Sequence, residues 1–232
     1  PAVNPDAEQP VQAKPKDAPD ADAATPDTGT PEIAKPEPYV PPPIEKEDPA
    51  ELALCITALR QAGVVFAETG AIEGGNGCGV EHPLTVTALG GDVVLQPEGA
   101  MRCQTALQLA HWTQEVVEPM LKIARPGEQL AAINQASTYI CRKRNNAESG
   151  KISEHARGNA VDIAGLTFKS GKTFSIEPRM QDSTLDGALQ RAITSAACLY
   201  FTTVLDPGSD SAHETHLHLD IINRKSGYRL CW

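Results

Sequence analysis

Two short segments, Ser153–Asp162 and His213–His218, constrain the fold more than any other feature of this sequence. The first leads into Ala160–Ala164 and the second overlaps His216–Ile221, and in both stretches residue types alternate with the two-residue period of a strand. If these strands pair in antiparallel fashion with their polar faces on the same side, Asp162 and His218 come together. The pattern therefore predicts two neighbouring strands that share one polar face.

The polar residues of these segments are the types that bind a divalent metal ion. Together the segments offer two histidine nitrogens and a carboxylate oxygen, and three protein ligands with a fourth position open are typical of a catalytic zinc site. Gly158 permits the sharp turn that would return His155 over the following strand. An isolated pair of histidines on a strand needs no metal, but the order and spacing of all the pieces favour a metal site.

The motifs resemble those of two related groups of proteins. The first segment reads Ser-x-His-x-x-Gly-x-Ala-x-Asp and the second contains His-x-His, as in the LAS metallopeptidases (lysostaphin-like, D-Ala-D-Ala and hedgehog-type domains). The longer string Ser-Glu-His-Ala-x-Gly-Asn-Ala-x-Asp-Ile, with Cys141-Arg142 before it and Tyr228-Arg229-Leu230-Cys231 after it, resembles the bacterial extensin-like C-terminal domain family over residues 50–232. The resemblance implies one Zn²⁺ per chain, bound by His155, Asp162 and His218.

The resemblance also implies catalytic roles for two further histidines. The spacing of His213, His216 and His218 matches that of the penicillin-insensitive murein endopeptidases, in which the two histidines that do not bind the metal are needed for catalysis. We expect His216 to stabilise an oxyanion or to carry a proton. D-Ala-D-Ala dipeptidases have Glu-x-x-His, whereas here Thr215 occupies the glutamate position and Glu214 lies one residue earlier. The general base is therefore either His213, which the spacing favours, or Glu214.

Two more residues are candidates for supporting roles. Related D-Ala-D-Ala enzymes place a Ser-x-Tyr-Arg element before the first ligand, and here Arg142 follows Ser137-Thr138-Tyr139 with a displacement of two residues. Its planar guanidinium suits a substrate carboxylate or carbonyl. Asp220 shares the strand face of His218 and either fixes a histidine tautomer or faces solvent.

Composition divides the chain into a linker and one domain. The first 50 residues hold 13 of the 19 prolines, 11 acidic residues and four lysines, with few large apolar side chains. Residues 1–48 are predicted to be a disordered linker, because they cannot bury enough surface to offset the entropy of ordering. Residues 49–232 suit one globular domain. The absence of an initial Met and the Pro-rich leader suggest that a signal or anchor was removed.

Six widely spaced cysteines, without any Cys-x-x-Cys, predict three disulfides and an oxidising compartment. Fifteen pairings exist; our weak preference joins Cys141 to Cys198, because each precedes a metal-binding segment. A cytosolic protein with six buried thiols is the alternative. The domain carries too little charge to indicate nucleic-acid binding, and no apolar run is long enough for a membrane span.

These observations lead to one set of expectations. The fold class is α+β, with a small antiparallel sheet that carries the zinc site and is flanked by helices that begin near Asp48, Cys103 and Thr184. The Gly-rich stretch 74–79 is expected to be a loop. The resemblance implies a periplasmic or cell-envelope zinc metallopeptidase that cleaves an amide bond of peptidoglycan, as an endopeptidase rather than a carboxypeptidase. The alternative is a non-catalytic zinc-binding module of the cell envelope.

Overall fold

The computed structural model describes residues 43–209 and 213–231. Most of the predicted linker, residues 1–42, lies outside this range, so its disorder stays a prediction. Residues 210–212, just before His213, and residue 232 also lie outside it. Residues 43–48, the end of the predicted linker, have no regular secondary structure and lead directly into the first helix.

The described residues form four α-helices, and three of them begin near the predicted positions, Asp48, Cys103 and Thr184. The start of the remaining helix, at Glu118, was not predicted. The four helices are α1 (Pro49–Gln61), α2 (Cys103–Trp112), α3 (Glu118–Ala124) and α4 (Leu185–Ala197), and a π-helical segment, Thr113–Val117, connects α2 to α3. Asp48 caps α1, because its side chain accepts hydrogen bonds from the backbone N–H groups of Ala50 and Glu51. Thr184 caps α4 in the same way. No helix within the described ranges is both long and apolar enough to cross a membrane.

The strands build one large sheet and one hairpin. They are β1 (Val64–Glu68), β2 (Ile72–Gly75), β3 (Cys78–Val80), β4 (Leu84–Leu89), β5 (Val94–Met101), β6 (Leu130–Ser137), β7 (Ala160–Phe168), β8 (Thr173–Ser175), β9 (Thr203–Leu205), β10 (Leu217–Asp220) and β11 (Leu230–Cys231). Among the described residues, nine strands form the main sheet in the order β1-β4-β5-β6-β7-β10-β9-β11, with β8 also paired to β7. Strands β2 and β3 form the separate hairpin.

The fold class α+β is confirmed, but the prediction of a small antiparallel sheet is wrong. The main sheet is large and mixed, because β5 pairs with β6 and β9 pairs with β11 in parallel. A parallel pair needs a long crossover connection, and the helical stretch from α2 to α3 supplies it between β5 and β6. The Gly-rich stretch is also more ordered than expected, because parts of it belong to β2 and β3.

The core lies between the helices and one face of the main sheet. Trp112 is fully buried, and its indole N–H donates to the carbonyl of Ile193, which joins α2 to α4. Inward-facing residues of the two central strands belong to this core, namely Val161 and Ile163 of β7 and Leu217 and Leu219 of β10. The residues between them therefore face the other side of the sheet, which is where the polar residues of both segments lie.

Three disulfides are confirmed, but the preferred pairing is wrong. Cys141 pairs with Cys78 and not with Cys198, while the other bonds are Cys55–Cys103 and Cys198–Cys231. The chain leaving β6 passes beside the β2–β3 hairpin, so Cys141 meets Cys78. Cys198 lies at the end of α4, beside the C-terminal strand β11. The prediction had paired two cysteines because each precedes a metal-binding segment, and this criterion does not show which cysteines are close in space.

Candidate metal centre

Strand pairing places two of the predicted ligands opposite each other. Strands β7 and β10 are antiparallel, and Asp162 is the direct partner of His218 in their register. This confirms the expectation that the polar faces of the two segments meet. Directly opposed residues have Cβ atoms about 4.5–5.5 Å apart, so short polar side chains on one face can touch.

The third predicted ligand, His155, lies on a tight turn before β7. Ser153 caps a short 3₁₀ turn, Glu154–Arg157, by accepting a hydrogen bond from the N–H of His155. The turn ends at Gly158, which has a φ of +69°. A Cβ at this position would lie 3.0 Å from Val80 Cγ2 and 3.1 Å from the backbone nitrogen of Arg102. Glycine therefore satisfies both the left-handed backbone and the close packing.

The three side chains converge in the interior of the protein. His155 Nε2 lies 3.1 Å from Asp162 Oδ1 and 3.2 Å from His218 Nδ1, and the last two atoms are 2.8 Å apart. All three residues are buried, with His155 fully inaccessible. These three residues form a cluster that could hold a metal ion. The donors of the cluster are two imidazole nitrogens and one carboxylate oxygen.

The outer nitrogens of both imidazoles are bound to acceptors. His155 Nδ1 lies 2.7 Å from the carbonyl oxygen of Thr138, and His218 Nε2 lies 3.1 Å from Asp220 Oδ2. Because a carbonyl only accepts, His155 donates from Nδ1. When the ring of His155 is neutral, its lone pair on Nε2 is therefore available to a metal. When His218 is neutral, Asp220 holds its proton on Nε2 and leaves Nδ1 for the cluster. Outer hydrogen bonds of this kind are typical of metal-binding histidines.

The cluster perturbs the acid–base properties of its members. Burial would raise the pKa of Asp162, but hydrogen bonds from His155 and His218 outweigh it and hold that pKa well below its usual range. Burial would lower the pKa of His218, but Asp162 and Asp220 outweigh it and raise that pKa to about 9. These shifts favour the charged forms of Asp162 and His218, so a metal that binds His218 would displace its proton.

The structure places His216 and His213 next to the cluster. His216 Nε2 lies 3.7 Å from Asp162 Oδ1. The ring of His213 has its centroid 5.3 Å from that of His216 and 5.5 Å from that of His218. Burial is the main cause that lowers the pKa of His216, and Asp162 partly opposes it. The imidazoles of His213 and His216 therefore both lie beside the three candidate metal ligands.

The two candidates for the general base differ in their surroundings. His213 is buried and lines a cavity of about 120 Å³ together with His155 and His218. Glu214 is exposed and, among the described residues, does not belong to the lining of that cavity. The position of His213 agrees with the preference from the sequence, and the choice of base stays a prediction.

Arg142 lies close to the cluster. Its guanidinium is 3.9 Å from Asp162 Oδ2, and it also lines the cavity. The backbone N–H of Ser153 donates to the carbonyl of Arg142 at 3.0 Å, and the Cys78–Cys141 disulfide holds the preceding residue. The chain is thus fixed on both sides of Arg142, and its role at the site stays a prediction.

Several residues around the cavity were missed by sequence reasoning. Arg144 and Arg224 line it, and Arg224 donates to the carbonyl of Thr202 and to Thr203 Oγ1. Glu154 lines the inner wall and lies 3.5 Å from Arg144. The carbonyl of Thr138 could not have been found from side-chain motifs. The sequence contained only a weak indication for the two arginines, namely that each lies near a metal-binding segment.

Comparison with known proteins agrees with part of this picture. The family model described as "Extensin-like protein C-terminus" matches residues 53–232. This range contains the whole His155–Asp162–His218 cluster, all six cysteines and every residue that lines the cavity. No curated protein matches the chain. Because the match covers most of the sequence, the chain belongs to the family of extensin-like protein C-terminal domains.

Proposed function

We propose that this protein is a zinc-dependent peptidoglycan hydrolase of the cell envelope that cleaves an amide bond in stem peptides or cross-links. One observation carries the proposal. A buried His–Asp–His cluster with fixed imidazole orientations lies beside two further histidines and an arginine that are not needed to hold a metal. A site that only binds a metal does not require these two additional histidines and the arginine. The likeness of the two motifs to LAS metallopeptidases supports the finer assignment.

The donor set fits zinc. His155, Asp162 and His218 provide two neutral nitrogens and one carboxylate, the composition of catalytic zinc sites with a fourth position open. When bound, zinc supplies a Lewis acid that polarises a carbonyl group and lowers the pKa of water toward 7. Thr138 and Asp220 would keep the two imidazoles in the orientation that zinc requires.

The remaining residues would act on the substrate and its protons. His216, whose Nε2 lies 3.7 Å from Asp162 Oδ1, would donate a hydrogen bond to a developing oxyanion or pass a proton to the leaving amine. His213, whose ring centroid lies 5.3 Å from that of His216, is our preferred general base, with Glu214 as the alternative. Arg142 would orient the substrate by binding a carboxylate or carbonyl oxygen on the cavity side. These are the roles that the resemblance implies, and the distances are compatible with each of them.

The substrate and location are supported by less direct observations. Three disulfides are typical of proteins that leave the cytosol. Three arginines line the cavity, Arg142, Arg144 and Arg224, and they suit a substrate that carries carboxylates, as peptidoglycan stem peptides do. The resemblance of the spacing of His213, His216 and His218 to that of the murein endopeptidases implies an endopeptidase rather than a carboxypeptidase.

Digestion of purified peptidoglycan tests the proposal directly. The protein is incubated with peptidoglycan with zinc, with a chelator, and with the chelator followed by excess zinc, and the products are identified by mass spectrometry. We expect zinc-dependent release of muropeptides cut at one type of amide bond. His218→Ala should lose both zinc and activity, whereas His216→Ala should keep zinc and lose activity. Failure of the zinc-loaded protein to cut any peptidoglycan would refute the hydrolase assignment.

The alternative, a non-catalytic zinc-binding envelope module, is favoured by the size of the cavity. Its volume of about 120 Å³ is below the range of about 300–1,000 Å³ that is usual for small-molecule sites. In that case the protein would hold zinc and bind peptidoglycan in a pull-down assay without releasing fragments. His216→Ala would then change neither property, which separates the two functions.

A further inference from the structure

The segment before α1 packs against the domain next to the metal centre. Residues 43–47, which we call the N-terminal arm, precede the range that the family model matches. The backbone N–H of Glu47 donates to Glu81 at 3.0 Å, and the side chain of Ile44 lies against Gly79 of β3. The arm thus contacts β3 at Gly79 and the residue that directly follows β3, Glu81.

The two glutamates of the arm converge on one arginine. Arg102 Nε lies 3.1 Å from Glu47 Oε1, and a terminal nitrogen of the same guanidinium lies 2.9 Å from Glu45 Oε2. The side chains of Arg102 and Glu47 are only 13% and 7% exposed, whereas that of Glu45 is 46% exposed. Because Arg102 is largely buried, loss of both carboxylates would leave a desolvated cation without a counter-charge, which is costly.

Arg102 also holds the turn that carries His155. Its backbone N–H donates to the carbonyl of Gly158 at 2.9 Å, and its guanidinium donates to Asn159 Oδ1 at 3.3 Å. The amide of Asn159 donates in turn to Glu45 and to Glu154, at 3.3 and 3.1 Å. The backbone carbonyl of Asn159 accepts from Ile221, which follows β10. One network therefore connects the arm, the turn and the strand of His218.

We propose that the N-terminal arm positions His155 through Arg102 and Asn159, so that the metal affinity of the cluster depends on a segment outside the matched domain. The inference rests on the proposed metal site. Glu45, Glu47, Arg102 and Asn159 are positioning residues, because none of them touches the donor atoms. Their effect is to restrict the turn 154–159 to the arrangement in which His155 Nε2 faces Asp162 and His218.

A charge-removing double substitution in the full chain, Glu45→Gln with Glu47→Gln, tests this role. The glutamines keep the shape of the arm but remove both counter-charges of Arg102. We expect the zinc dissociation constant, measured by competition with a chromophoric chelator, to rise about tenfold, the lower end of the effect of outer-shell changes. Asp186→Asn is the matched control, since it removes a partly exposed ion pair with Arg125 elsewhere in the domain. It should leave zinc affinity unchanged.

Hydrogen exchange supplies a readout that needs no metal. The N–H groups of Gly158 and Asn159 donate to His155 and Glu154 within the turn, and they should exchange faster in the double variant but not in Asp186→Asn. Arg102→Met should also weaken zinc binding, and adding the glutamine substitutions to it should have no further effect if the arm acts through Arg102. If the double variant is poorly folded, Glu45→Gln alone replaces it, because that side chain is half exposed.

The outcomes separate this inference from the proposed function. Unchanged zinc affinity together with unchanged protection of Gly158 and Asn159 in the double variant would show that the arm does not position the turn. If the unaltered protein binds no zinc, the proposed metal site fails, and the exchange rates alone decide whether the arm holds the turn. Additive effects of the arginine and glutamate substitutions would mean that the arm acts by another route.

Discussion

Replacing Asp220 by asparagine should weaken zinc binding although Asp220 does not contact the cluster centre. The carboxylate uses both oxygens as acceptors, because Oδ2 lies 3.1 Å from His218 Nε2 and Oδ1 accepts from the N–H of Ile222 at 3.0 Å. An amide has only one acceptor oxygen. If that oxygen faces Ile222, the amide N–H₂ faces His218 Nε2 and forces the ring proton onto Nδ1, which is the atom directed at Asp162 and the metal.

The expected loss follows from this change of tautomer. If the amide oxygen faces His218 instead, its N–H₂ opposes the N–H of Ile222, and a buried donor loses its partner. Either arrangement disfavours the metal-binding form of His218. Loss of a hydrogen-bond partner of a metal-binding histidine lowers metal affinity by about 10–100-fold, or about 1.4–2.7 kcal/mol. Asp220→Asn should therefore raise the zinc dissociation constant by this factor at fixed pH.

The assay is competition with a chromophoric chelator, with circular dichroism to show that the variant is folded. Asp186→Asn serves as the control, because its carboxylate pairs with Arg125 and not with a histidine. We expect it to bind zinc like the unaltered protein. If Asp220→Asn binds zinc with unchanged affinity, the argument that Asp220 fixes the tautomer of His218 is refuted.

Three further predictions concern catalysis and stability. His216→Ala should retain zinc while turnover falls by roughly 100-fold or more, as measured on muropeptides, because the residue acts in the transition state. His213→Ala should be far less active than Glu214→Gln in the same assay, and the reverse order would identify the glutamate as the base. Hydrogen bonds from Thr184 lower the pKa of Asp182 from 3.8 to about 2; a depressed pKa stabilises the folded state above pH 4 and ceases to do so near pH 2. Asp182→Asn should therefore lower the melting temperature at pH 7, with the difference disappearing near pH 2.

Local patterns in the sequence predicted the parts of the site that depend on strand geometry. The two-residue alternation assigned Asp162 and His218 to the polar faces of two strands, and the register places them opposite each other. The helix starts at Asp48 and Thr184 were also predictable, because a capping side chain acts on its own neighbours. Such features need only a few consecutive residues to form.

Features that depend on distant parts of the chain were not predictable in this way. Alternation shows that a segment is a strand but does not show its neighbours, so the nine-stranded order and the parallel pairing of β5 with β6 could not be derived. Cysteine spacing left 15 pairings open, and the preferred Cys141–Cys198 bond was wrong for the same reason. The positions of Arg144 and Arg224 at the cavity likewise depend on how distant loops meet.

The three candidate ligands are therefore supported in two different ways. Asp162 and His218 owe their positions to the pairing of β7 with β10, which a large sheet holds on both sides. His155 lies on a turn whose inner face packs in a small cluster of Ile152, Ala156 and the disulfide-bonded Cys78. Its outer side is held by Arg102. Because side-chain contacts and not strand pairing hold this turn, changes that lie outside the site should affect the metal through His155 before they affect it through the two strands.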